Sequence, residues 1–68
     1  MNIDIRNSIK NNFKNSNNNE ILESIESAVS DKDEITLPGL GVFFEMLWIN
    51  SNLDEKNLII SKLKKELS

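Results

Sequence analysis

The chain has 68 residues, 38% hydrophobic and 28% charged, with a formal net charge of −3 at pH 7 and a pI of about 4.8. One small domain, residues 1–68, is all that length provides, with a stability of roughly 3–10 kcal/mol. With neither cysteine nor histidine, disulfides, thiolate metal sites, the commonest zinc ligand and the usual neutral-pH general base are absent, and the acidic balance disfavours an electrostatic nucleic-acid binder.

Residues 1–6 lack the basic segment and apolar run of a signal peptide. No window approaches the roughly 18 apolar residues of a membrane span. The expected location is inside the cell, with no membrane partner. Ile5, Ile9 and Phe13 recur every four residues, with Ile3 just before them. That spacing predicts a short first helix, capped by Asn2 or Asp4. Eleven asparagines occur in the chain, seven of them between positions 7 and 19. Codon usage in an A/T-rich genome is the preferred reading, the alternative being a polar, adhesive or prion-like segment, and the apolar spacing continues through the tract. Residues 15–19 are expected to form a loop, because Asn and Ser side chains compete for backbone hydrogen bonds.

Ile21, Leu22, Ile25, Ala28 and Val29 form the clearest amphipathic stripe, with Glu20, Glu23, Ser24, Glu26 and Ser27 on the other face. Asn18 or Asn19 is the expected cap, and Glu20 and Glu23 suit the positive end of the helix dipole. Residues 30–34 are expected to be a polar loop. Ile35, Thr36 and Leu37 are β-prone. Pro38 fixes its own φ and disfavours the helical region for Leu37, while Gly39 and Gly41 permit positive φ or close approach. The expectation is a rigid turn feeding an apolar segment.

Eight of the ten residues from 40 to 49 are apolar, and Glu45 carries the only charge. A central helix is the preferred reading, with Pro38 near its first turn; a strand is the alternative, since periodicity does not settle so short a run. Asn52 and Glu55 have the spacing of a capping box. Ile59, Leu63 and Leu67, flanked by Ile60, then give a fourth helix, with Asp54 and Glu55 early and Lys62, Lys64 and Lys65 late, as the dipole prefers. The expected architecture is all-α, a small compact domain of about four short helices. Helices one, two and four would cover the apolar third.

No catalytic constellation is visible, and no cofactor or metal is expected. The Gly39-x-Gly41 pair lacks the flanking strand or lysine of a phosphate-binding loop. Glu45 is expected to reach solvent or pair with a lysine, the alternative being a buried acid. Trp48 is expected in the core, the alternative being an exposed binding anchor. Glu20, Glu23 and Glu26 read as a solvated face, and three C-terminal lysines are too few for strong phosphate contact.

The central motif, Leu37-Pro38-Gly39-Leu40-Gly41-Val42 followed by Phe44, Glu45 and Trp48, resembles that of the small, acid-soluble spore protein I family of endospore-forming Firmicutes. Its flanks are similar in kind: Arg6-Asn7 near the start, Ile25, Ala28 and Ser30 before an acidic loop, and Asp54-Glu55-Lys56-Asn57 after it. The Asn-rich loop and the Ile/Lys bias depart from the family pattern. The resemblance implies a protein made in the forespore during sporulation and residing in the spore core, with no enzyme activity or cofactor. Leu37, Pro38, Gly39, Leu40, Gly41, Phe44, Glu45 and Trp48 are then motif residues of structural or interaction value.

Residues 34–43 are also similar to the strand–turn segment of bacterial histone-like (HU-type) proteins, which place two helices before it. The similarity ends at Phe44, and no basic arm follows. The alternatives to a spore-core component are therefore a DNA-associated HU-like module, disfavoured by charge, or a small interaction module. Its candidate partners are a second copy of the chain or another spore-core protein.

Overall fold

The computed structural model describes residues 4–32 and 34–68. Four α-helices follow one another: α1 (Ile5–Phe13), α2 (Asn18–Asp31), α3 (Leu37–Ile49) and α4 (Leu53–Leu67), with a 3-10 turn at Glu34–Thr36 before α3. Helix accounts for 84% of the described residues, and no strand occurs among them. Asn2 as a cap, Ile3 on the apolar stripe and Asp33 in the polar loop lie outside the described residues.

Local sequence explains most of the boundaries. Asp4 caps α1, its Oδ1 accepting from the Asn7 amide at 3.1 Å. Asn17, not Asn18 or Asn19, caps α2. Its Oδ1 accepts from the Glu20 amide at 2.9 Å, and Glu20 Oε1 accepts from the Asn17 amide at 3.5 Å. The Asn-rich loop therefore ends at residue 17, where this reciprocal box satisfies two helix-end donors. Asn52 and Glu55 make the same box at α4, at 2.8 Å in both directions, as their spacing predicts. α2 runs to Asp31, into the stretch expected to be a loop. It ends at Lys32, whose φ of 51° and ψ of 30° are left-handed.

Pro38 lies in the first turn of α3, as the preferred helix reading expects, but the rigid turn expected to feed that helix is absent among the described residues. Leu37 and Pro38 are the first two residues of α3, and neither glycine has positive φ. First-turn amides have no acceptor within the helix, so proline loses no hydrogen bond there. The strand alternative for residues 40–49 is likewise replaced by helix. Asn50 and Ser51 close α3, donating to the Met46 and Leu47 carbonyls at 2.8 and 2.6 Å.

α3 is central, with α1, α2 and the 3-10 turn packed against it. The expectation that α4 covers α3 as α1 and α2 do is not met: none of the extensive contacts among the described residues involves α4. The core is thin. Val42, 8% exposed, is the one buried hydrophobic side chain among them.

Candidate functional site: the α3 motif

Helical geometry sorts the 37–48 motif onto two sides of α3. Gly39, Val42, Phe43, Glu45 and Met46 turn toward α1 and α2, while Leu37, Phe44 and Leu47 are exposed. α1 passes beside α3 at Gly39, where an added Cβ would meet Ile9 Cδ1 at 3.6 Å, ordinary van der Waals contact. At Gly41 a Cβ would meet open space. Phe13 of α1 stands edge-on to Phe43, with ring centroids 5.2 Å apart and planes at 69°, the T-shaped geometry that aromatic quadrupoles favour. A solvent-open cavity of about 480 Å³ lies beside this pair, lined by Ile9, Ile21 and Met46 among others. Thr36 Oγ1 donates to the Ala28 carbonyl at 3.4 Å and ties the start of α3 to α2.

Glu45 is the polar residue of this face, and its partner is Arg6, not a lysine. Arg6 Nε and Nη2 donate to its two carboxylate oxygens at 2.6 and 2.7 Å, joining the first turn of α1 to the second half of α3. The hydrogen bond from Arg6 lowers the Glu45 pKa below its ordinary value, partial desolvation opposes this, and the charges of Arg6 and Lys10 add to the lowering. The same hydrogen bond, with Glu45's charge, raises that of Arg6. Arg6 is the only arginine in the chain. Together with the lone acid of the apolar run, it was the available clue to this pairing.

Trp48 is neither fully buried nor free. It is half-buried and stacks on Phe44, with centroids 5.8 Å apart and planes at 28°. Lys56 Nζ from the first turns of α4 lies 5.2 Å from its ring centroid, within cation–π range. Leu40 is half-buried and borders a second cleft with Ala28 and Val29 of α2. Pro38 occupies the first turn and makes no specific polar contribution, having no N–H.

The motif therefore gathers apolar and aromatic surface around a single ion pair. Glu20, Glu23 and Glu26 lie exposed along α2, and no group of three His, Cys, Asp or Glu able to hold a metal exists among the described residues. The strand–turn that the HU-like alternative would place at residues 34–43 is not formed; the 3-10 turn and the first half of α3 occupy them. No helix among the described residues is long and apolar enough to cross a membrane.

Comparison with known proteins agrees with the motif. A family model described as "Small, acid-soluble spore protein I" matches residues 3–67. Relatives bearing that name include one from Halalkalibacterium halodurans, 36% identical over 67 residues, 98% of this chain and 98% of that protein. Another, from Geobacillus kaustophilus, is 33% identical over 64 residues, 94% of this chain and 93% of its own length. A third, from Bacillus velezensis, is 34% identical over 64 residues, 94% of this chain and 90% of that one. No solved structure matches the chain. With the model spanning nearly every residue and the relatives covered almost end to end, the chain belongs to the small, acid-soluble spore protein I family.

Proposed function

We propose that this spore protein is a non-enzymatic component of the spore core, made during sporulation. The observation that carries the reading is the family match across residues 3–67. It is supported by a sequence without histidine or cysteine and by a motif helix whose surface is apolar and aromatic rather than reactive. Acid solubility, which the relatives' name states of them, suits this composition. Protonating the eleven carboxylates of Asp and Glu leaves eight cationic side chains. The chain then passes from a formal charge of −3 to about +8 at low pH, and such charge keeps even an unfolded chain dispersed.

The test is quantitative mass spectrometry of acid extracts from purified dormant spores and from growing cells. Strong enrichment in spores, retained after chemical removal of the coat, is the expected result. Equal abundance in growing cells would overturn the spore assignment, and loss with the coat fraction would overturn the core location.

A further inference from the structure

Too much of this chain is exposed for a folded monomer. A monomeric protein of 7.8 kDa is expected to expose about 4,400 Å², whereas this chain exposes 6050 Å². Its radius of gyration, 13.3 Å, likewise exceeds the roughly 11 Å of a domain this long. Nine of the thirteen exposed large apolar side chains among the described residues lie on α3 and α4. A stable interface removes about 800 Å² from each partner, and a surplus near 1,700 Å² provides that area twice over.

The pattern of α4 says what fits it. Leu53, Lys56, Ile60, Leu63 and Leu67 are spaced alternately by three and four residues, the seam of a coiled coil. Lys56 is engaged over Trp48. Ile60 and Leu63 are 42% and 46% exposed, and Leu67 is 81% exposed. Charge divides the same helix. Asp54 and Glu55 occupy its first turn, while Lys62, Lys64 and Lys65 dominate its last turns, with Glu66 the single acid among them. Two such helices in parallel would set acid beside acid and lysine beside lysine. In antiparallel register about Ile60, Leu53 meets Leu67 and Glu55 meets Lys65, with Asp54 opposite Glu66 and Lys56 opposite Lys64 as the like-charge pairs that remain, and the two helix dipoles oppose. Ile60 is the central residue of Leu53–Leu67, so a two-fold axis beside it makes the contact self-complementary.

We propose that the apolar seam of α4 is a homodimer interface, in which α4 of one copy packs antiparallel against α4 of a second. On α3, Phe44 and Leu47 are also exposed, 43% and 52%, and Phe44 stacks on the Trp48 ring that Lys56 covers. The absence of cysteine makes single-site labelling straightforward.

Two experiments on the full chain test this. Sedimentation equilibrium at micromolar to millimolar concentration should give a particle of twice 7.8 kDa. Leu63→Lys, introduced twice per dimer, should raise the dissociation constant about 100-fold or more. Monomer at every concentration, or a trimer or larger assembly, would overturn the proposal. Nitroxide distances do not depend on a disruptive variant. Labels on Ser61→Cys, beside the two-fold, should lie close together. Labels on Ser68→Cys should lie about 24 Å apart along the helix axis, eight residues to either side of it at about 1.5 Å each. Short distances at both sites would mean parallel pairing, and the absence of any dipolar coupling would mean that another surface is used; either result overturns the antiparallel arrangement.

Discussion

The Arg6 guanidinium holds the Glu45 carboxylate through two hydrogen bonds of 2.6 and 2.7 Å, across 39 residues of sequence. Both side chains keep solvent contact, 66% and 40% exposed, so the pair orients α1 on α3 more than it stabilises the fold. Glu45 titrates below its ordinary value of 4.5. A carboxyl lowered in this way contributes stability above its unfolded pKa and loses it as pH falls through the folded one. The melting temperature should therefore decline as pH drops below about 4.5, with Glu45→Gln declining less steeply than the native chain. Superimposable pH profiles would show that the pair contributes nothing. The raised pKa of Arg6 acts only above the accessible alkaline range.

Gly41 sits inside α3 with open space where a Cβ would stand and no positive φ. Nothing in the fold of one chain requires glycine there. Gly41→Ala should raise stability by about 0.5–1 kcal/mol through helix propensity alone. For a domain of this size that is a rise of about 4–8 °C per kcal/mol in melting temperature. A loss of stability would reveal a close approach at this position, such as one made by a bound partner.

The helices were legible because their signals are local. Ile5, Ile9 and Phe13 mark α1, the Asn52–Glu55 spacing marks the start of α4, and the macrodipole bias marks its direction. The same Asn-x-x-Glu spacing at Asn17 and Glu20 was the signal for the start of α2. Neighbouring Asn18 and Asn19 masked it, because every asparagine in the tract is a competent cap. Pro38 was legible as a first-turn residue of the apolar helix, but the rigid turn expected ahead of it was not formed, because the turn-forming and helix-starting roles of proline have the same residue signature and the two glycines suggest a turn. The motif residues were legible as a group, but their partners were not. Arg6 reaching Glu45 and Lys56 reaching Trp48 depend on where helices are placed in space, which periodicity does not encode. The failure of α4 to cover α3 is of the same kind, since an amphipathic stripe shows that a face will be buried without naming what buries it.

Lys32 ends α2 in the left-handed region, with φ 51°, where a β-carbon is disfavoured and glycine is the usual occupant. Lys32→Gly should stabilise the chain by about 0.5–1 kcal/mol, the relief of that conformation outweighing the added freedom of the unfolded state. Thermal unfolding at a fixed protein concentration is the measurement. An unchanged or lower melting temperature would mean that the lysine side chain supplies a compensating contact.

Trp48 provides the sharpest test of how the motif helix is held. It is half-buried, stacked on Phe44 and covered on one side by Lys56. A fully buried tryptophan costs about 3–5 kcal/mol when cut to alanine; here roughly 2 kcal/mol is expected, because part of the ring already faces solvent. Lys56→Met should cost less than about 1 kcal/mol, the size of an exposed cation–π contact, while keeping the length of the side chain. Trp48 is the only tryptophan, so its fluorescence reports the site directly. In dilute solution its emission should be intermediate and partly quenched by acrylamide. A loss above 3 kcal/mol with unquenchable emission would place Trp48 in a closed core and require α4 to fold back over α3. An unchanged melting temperature with full quenching would free α4 from α3 altogether.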